Sequence, residues 1–201
     1  MEEVEPPCVD DFVYISDNIY TAGQIRGIEL DVVTTLKFRL NHVTPYSFVH
    51  EYLLASEQSS RGSSGFPFGP AFHPIMRHMV DYLMELSRFP HEFVDVKPSL
   101  IAAAVIFLAR ATLGIRGKAD DGVHEKGYWT KTLQFYTGYS VEELKDTVLI
   151  LLTYHQSAEE ESLNAIYKKF SKAKFMHVST KTVLCNDVLD LDDFVSTVSL
   201  S

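Results

Sequence analysis

Apolar positions recur along the chain at three- and four-residue spacings, whereas the strict alternation of a strand is scarce, and this pattern predicts an all-α protein. A short amphipathic piece from Cys8 to Ile15 ends at the turn cluster Ser16-Asp17-Asn18. Thr21-Ala22-Gly23-Gln24 then has the form of a capping box, the Thr21 side chain accepting from a backbone N–H and Gln24 returning the bond. Tyr20 and Ile25 flank it as a hydrophobic staple. Ile25, Ile28, Val32, Val33 and Leu36 give one face of a helix expected to reach about Lys37.

Thr44-Pro45 opens the next helix, since proline at the first helical position lacks only an N–H that would be unpaired there anyway. Tyr46, Val49 and Leu53 form its stripe. Ser and Gly dominate between Glu57 and Pro70, which reads as a mobile inserted loop. His73-Pro74 starts a helix with Met76, Met79, Val80, Leu83 and Leu86 facing inward. Lys97-Pro98 starts another, apolar on every side from Leu100 to Leu113 and closed by Gly114, which belongs in the middle of a bundle.

After a polar loop from Gly117 to Gly127, the segment from Trp129 to Tyr136 makes a short helix. A second capping box, Ser140-Val141-Glu142-Glu143, precedes a helix whose buried face holds Leu144, Val148, Leu151 and Leu152. A third box, Ser157-Ala158-Glu159-Glu160, is expected to cap a helix bearing Leu163, Ile166, Tyr167 and Phe170. The last thirty or so residues lose periodicity, end in the acidic run from Asp187 to Asp193, and read as a tail packed or frayed along the surface.

An internal repeat organises these elements. Tyr20-Thr21 with Gln24-Ile25 and Tyr139-Ser140 with Glu143-Leu144 are the same cap, each following a short aromatic-bearing helix, 119 residues apart. Three further helices precede the second cap, and only Met1 to Pro7 precede the elements of the first. The chain therefore reads as a duplicated helical bundle whose first copy lacks its front.

Composition narrows the function. The 201 residues are 46% apolar, enough for a sizeable core, and the formal charge of −9 opposes a nucleic acid partner, whose binding rests on Lys and Arg. Cys8 and Cys185 match no zinc or redox spacing, which favours a reducing compartment. The acidic, proline-bearing start is unlike a signal peptide, and the longest apolar run, Leu100 to Ala109, is about half a membrane span. The eight histidines show no metal-binding spacing, and the methionines from Met76 to Met84 suit core filling. No phosphate loop or nucleophile constellation stands out. These features imply no cofactor, metal, small-molecule ligand or membrane, and a protein that works by docking onto another.

The residues Pro6-Pro7, Asp11-Phe12-Val13-Tyr14-Ile15, Asp17, Tyr20-Thr21, Gln24, Glu29 and Leu36 resemble the cyclins, and among them the mitotic A and B types. Ala102-Ala103-Ala104, Phe107-Leu108-Ala109, Trp129, Thr137-Gly138-Tyr139 and Tyr167-Lys168-Lys169-Phe170 are similar to the second cyclin box and the stretch after it. The resemblance implies an all-α fold of tandem five-helix boxes, the first truncated to its last two helices. Residues 1–43 would be that remnant, 44–172 the second box with an insertion at 57–70, and 173–201 a tail. The implied function is an activating subunit of a cyclin-dependent serine/threonine protein kinase, controlling cell-cycle progression from nucleus and cytoplasm. The alternative is a truncated cyclin-like module that binds a partner without activating a kinase. In the family the substrate-docking patch and a kinase-contacting lysine lie just upstream of the position where Met1 stands. A front-truncated bundle would expose apolar surface and depend on a partner.

Four residues carry the expected kinase contact. On a helical wheel Glu29 falls within about 60° of the mean direction of Ile25, Ile28, Val32 and Leu36. A carboxylate within a buried stripe must protonate, pair, or face a partner, because burying it alone costs several kcal/mol. The resemblance points Glu29 at the kinase and sets Val33, Phe38 and Leu40 on the kinase's mobile regulatory helix. The plainer readings are a Glu29 that reaches to solvent or to Arg26, and apolar neighbours that are core.

Overall fold

The computed structural model describes residues 6–60, 72–116, 127–161 and 164–182. Among them are eight α-helices and no strand. The chain divides into two compact units, Met1–Val43 and Thr44–Ser201.

The first unit is a helical hairpin of α1 (Val9–Ile15) and α2 (Ala22–Thr35). The Thr21 box forms: Thr21 N–H donates to Gln24 Oε1 at 2.9 Å and Gln24 N–H to Thr21 Oγ1 at 3.3 Å. Helix α1 ends in a Schellman turn, with Asn18 N–H donating to the Val13 carbonyl and Asp17 N–H to that of Tyr14, so Asp17 and Asn18 adopt left-handed backbone. Neither helix contains a buried residue. Val9, Val13, Ile25 and Val33 are half-buried where the two helices pack, whereas Ile28, Val32 and Leu36 stand in solvent. The expected inward stripe of α2 is thus largely outward, because the short α1 covers only one edge of it.

The second unit is built on α5 (Pro98–Thr112), in which every residue from Ile101 to Ala111 is buried. Around it pack α3 (Tyr46–Ser60), α4 (Phe72–Leu86) and α7 (Val141–Ser157), with α6 (Lys131–Thr137) laid on α3. The run Ala102-Ala103-Ala104 leaves no bulk on α5, so three neighbouring backbones approach it closely. Gly114 closes α5 with φ 68°, and the turn returns Ile115 N–H to the Arg110 carbonyl at 2.8 Å while burying the Ile115 side chain. Met76, Met79 and Met84 are core residues of α4.

The resemblance motifs of this unit turn out to hold its joints. Gly138, at φ 74°, terminates α6; the Tyr139 carbonyl accepts from Trp129 Nε1 at 3.0 Å; and the Tyr139 hydroxyl lies 2.7 Å from Ser99 Oγ on α5. The Ser140 box forms through Ser140 N–H to Glu143 Oε2 at 2.8 Å and Glu143 N–H to Ser140 Oγ.

Three expectations need correction. Helix α3 runs through Glu57 to Ser60, so the expected loop does not start at Glu57; residues 61–70 of the expected insertion lie outside the described residues. Helix α4 starts at Phe72, placing Pro74 within its first turn. Ser157 does not cap a new helix: it is the last residue of α7, and α8 (Ala165–Phe170) starts after Asn164 with no side-chain cap bond. The buried faces of Leu151, Leu152, His155 and Ala158 carry α7 past the local cap signal, since core burial outweighs one capping bond. Leu163 and the acidic run 187–193 lie outside the described residues.

The start of the expected tail is packed. Two 3₁₀ turns, Ala173–Phe175 and Val178–Thr180, bury Val178 and lay the second turn on α4 and α8. Phe170 and Phe175 pack with ring centroids 4.7 Å apart and planes tilted by 42°, and Tyr82 meets Phe170 at 5.5 Å.

Candidate functional site

Glu29 and Val33 lie one turn apart on α2, and Leu36 continues the same side. The helix then ends in a second Schellman turn: Phe38 N–H donates to the Val33 carbonyl and Lys37 N–H to that of Thr34, both at 2.9 Å. These bonds fold Phe38 back beside the Val33 turn, and Leu40 follows with its N–H on the Phe38 carbonyl at 3.0 Å. Of the four residues singled out from the sequence, Val33, Phe38 and Leu40 are thus linked through the turn that ends α2, and Glu29 lies one helical turn before Val33.

The backbone here is strained. Lys37 and Phe38 have φ of 50° and 58°, a region where glycine is at ease and a bulky side chain is not. Each such residue costs on the order of 1–3 kcal/mol and persists only where the surroundings over-determine it. What the strain achieves is presentation: Phe38 is 72% exposed and Leu40 61%.

Glu29 is exposed, and among the described residues no ion pair joins it to Arg26. This corrects the premise that its carboxylate sits in a buried stripe, because Ile28 and Val32 beside it are themselves about half in water. Val33 is half-buried, and the core reading fails for Phe38 and Leu40. Sequence reasoning missed Ile28, Val32 and Leu36 as parts of the same open face, since a periodic stripe looks alike whether a partner comes from within the chain or from outside. The available signal was the shortness of α1, at 7 residues, against the 14 of α2.

A charged rim surrounds this apolar face: Arg26, Asp31, Lys37 and Arg39 are all exposed. Large apolar side chains inside a polar rim are the arrangement of a protein interface. A helix as short as α2 is marginal alone, so its order rests on what covers it. No group of His, Cys, Asp and Glu able to hold a metal ion gathers among the described residues, and no helix there is long and apolar enough to cross a membrane.

The fold is thus a tightly packed helical unit in a chain with a hairpin whose apolar side chains stand largely in water. The chain's relatives identify its family. The cyclin C-terminal domain matches residues 43–184 and the cyclin N-terminal domain matches residues 1–41. G2/mitotic-specific cyclin-B of Drosophila melanogaster is 31% identical over 189 residues, covering 94% of this chain and 33% of the relative. Cyclin-A3-1 of Oryza sativa subsp. japonica is 33% identical over 179 residues, 89% of this chain and 43% of the relative. Cyclin-A2-1 of Arabidopsis thaliana is 33% identical over 181 residues, 90% and 37% of the two chains. The chain belongs to the cyclin family, with its relatives among the A and B types. It spans 33% to 43% of the length of these three relatives. Cyclins are regulatory proteins and not enzymes.

Proposed function

We propose that the chain is a regulatory subunit that docks a cyclin-dependent protein kinase through Glu29, Val33, Phe38 and Leu40 and activates it. The observation that supports this most is the strained Lys37-Phe38 turn, which holds a phenyl ring in water at the end of a helix with no buried residue. Exposing that ring is unfavourable unless a partner covers it. Glu29, one turn before Val33, offers a carboxylate at the margin of the same face, where a basic side chain of the kinase would meet it.

Activation on this reading is a population shift. The docked face binds the active position of the kinase's mobile helix better than the inactive one, and the gain in activity is set by that difference alone. The work belongs in the nucleus and cytoplasm, where imaging of a tagged chain would find it.

The test is co-purification of the full chain with a cyclin-dependent kinase catalytic subunit, followed by histone phosphorylation. Because Phe38 is exposed, Phe38→Ala should leave folding intact and weaken association about 30-fold, as loss of an interface anchor of about 2 kcal/mol does. Glu29→Ala should weaken it about tenfold. Association unchanged by both substitutions would sink the assignment. Binding with no gain in phosphorylation would instead mark a passive interaction module.

A further inference from the structure

We infer that the basic knuckle following α8 is a second docking surface, and that it takes an acidic segment of a partner polypeptide. Residues 164–182 contain Lys168, Lys169, Lys172, Lys174 and Lys181 with no Asp or Glu, a local reversal in a chain of formal charge −9. The first four lysines are exposed. Lys169 pairs with Glu85 of α4, and Lys174 lies over the Phe175 ring at 4.7 Å. Lys168 and Lys172 meet no carboxylate among the described residues.

The knuckle is shaped by bonds rather than left loose. Phe175 and His177 both donate their N–H to the Lys172 carbonyl, Met176 N–H donates to that of Ala173, and His177 Nδ1–H donates to the Ser171 carbonyl. Closing this loop forces Met176 and His177 into left-handed backbone, at φ 56° and 52°. The anchor beneath is firm, because Val178 is fully buried and Ser179 Oγ donates to the Tyr167 carbonyl at 2.9 Å. The outcome is a preorganised crest of ammonium groups with the half-exposed Met176 thioether among them.

That combination fits a carboxylate-rich peptide carrying one apolar residue. Nucleic acid fits less well: its affinity grows with the number of phosphates neutralised, and one short crest on an acidic chain neutralises few.

Fluorescence anisotropy of a short labelled peptide of Asp and Glu around one Leu, titrated with the full chain at low salt and without kinase, tests the inference. Saturable binding is expected, weakened about tenfold by Lys172→Glu with Lys174→Glu and comparably by raising the salt. Arginine at both positions should preserve it, and Lys131→Glu on α6 should leave it unchanged, with far-UV circular dichroism constant throughout. Four results would each overturn the proposal: no saturable binding, equal binding by the Glu double variant, tighter binding of a single-stranded oligonucleotide or of phosphatidylserine vesicles, or binding that emerges only when Asp187, Asp190, Asp192 and Asp193 are changed to Asn. The last would mean that the chain's own carboxylates, not a foreign peptide, are the ligand.

Discussion

Replacing Arg110 by Ala should cost the second unit more than any surface change. Arg110 sits in the last turn of α5 with its side chain wholly inaccessible to water. Its Nε–H donates to the Tyr128 carbonyl at 2.7 Å, and Nη1–H donates to Ser56 Oγ at 2.8 Å and to the Ser56 carbonyl at 3.1 Å. One side chain thus ties the central helix to α3 and to the segment that leads into α6. Burial pushes the guanidinium down to about 10, so it stays charged at neutral pH. The corresponding desolvation cost is roughly 3 kcal/mol, which truncation would return. Against that stand bonds from a charged donor at about 1.5–3 kcal/mol each and the stranded carbonyls they leave. The net loss should be about 3–5 kcal/mol, the usual result of removing one side of a buried charged network. Urea unfolding followed by circular dichroism would read it directly, and the melting midpoint should fall on the order of 10 °C. Ser56→Ala, which removes one acceptor and spares the carbonyl, should cost about 1 kcal/mol. A loss under about 1 kcal/mol for Arg110→Ala, or strict additivity of the two substitutions, would refute the view of Arg110 as the tie between these elements.

The two capping boxes should respond differently to the same change. Ser140→Ala should destabilise the second unit by about 1 kcal/mol, whereas Thr21→Ala should mainly reduce helix content in the first, whose helices bury no residue; equal loss of the melting midpoint for both would contradict this. A pH effect is expected at His155, whose Nε2–H donates to the Lys181 carbonyl at 2.9 Å and whose Nδ1 accepts from the Tyr82 hydroxyl at 3.1 Å. Burial lowers its pKa, with the Lys181 bond acting partly against that. The unfolded chain therefore binds this proton more readily, so the stability is complete above about pH 6.5 and declines as the pH falls below it. Unfolding midpoints of His155→Gln that keep the same acid slope as the parent chain would show that the slope arises elsewhere.

Much of the fold was legible because its signals are local. The Thr21 and Ser140 boxes, the proline start of α5, its all-round apolar surface and the Gly114 stop each depend on a few neighbouring residues, and each formed as read. Local signals failed where burial outbid them. Ser157-Ala158-Glu159-Glu160 has the form of a cap, yet the inward faces of Leu151, Leu152 and His155 drew α7 straight through its first residue. The packing of Val178 and Phe175 had no periodic signature, since 3₁₀ turns are too short to show one.

The sequence by itself determined the helical class, the order of the helices and the centre of the second unit, because period, caps and glycine stops are properties of short stretches. Only the tertiary structure decided which apolar stripes are core and which are surface. Ile28, Val32 and Leu36 along α2 and its C-cap follow the same spacing as Leu144, Val148 and Leu152 on α7, yet the first set stands in water and the second is sealed. The physical reason is that periodicity records which way a side chain points, whereas burial depends on whether another element arrives to cover it.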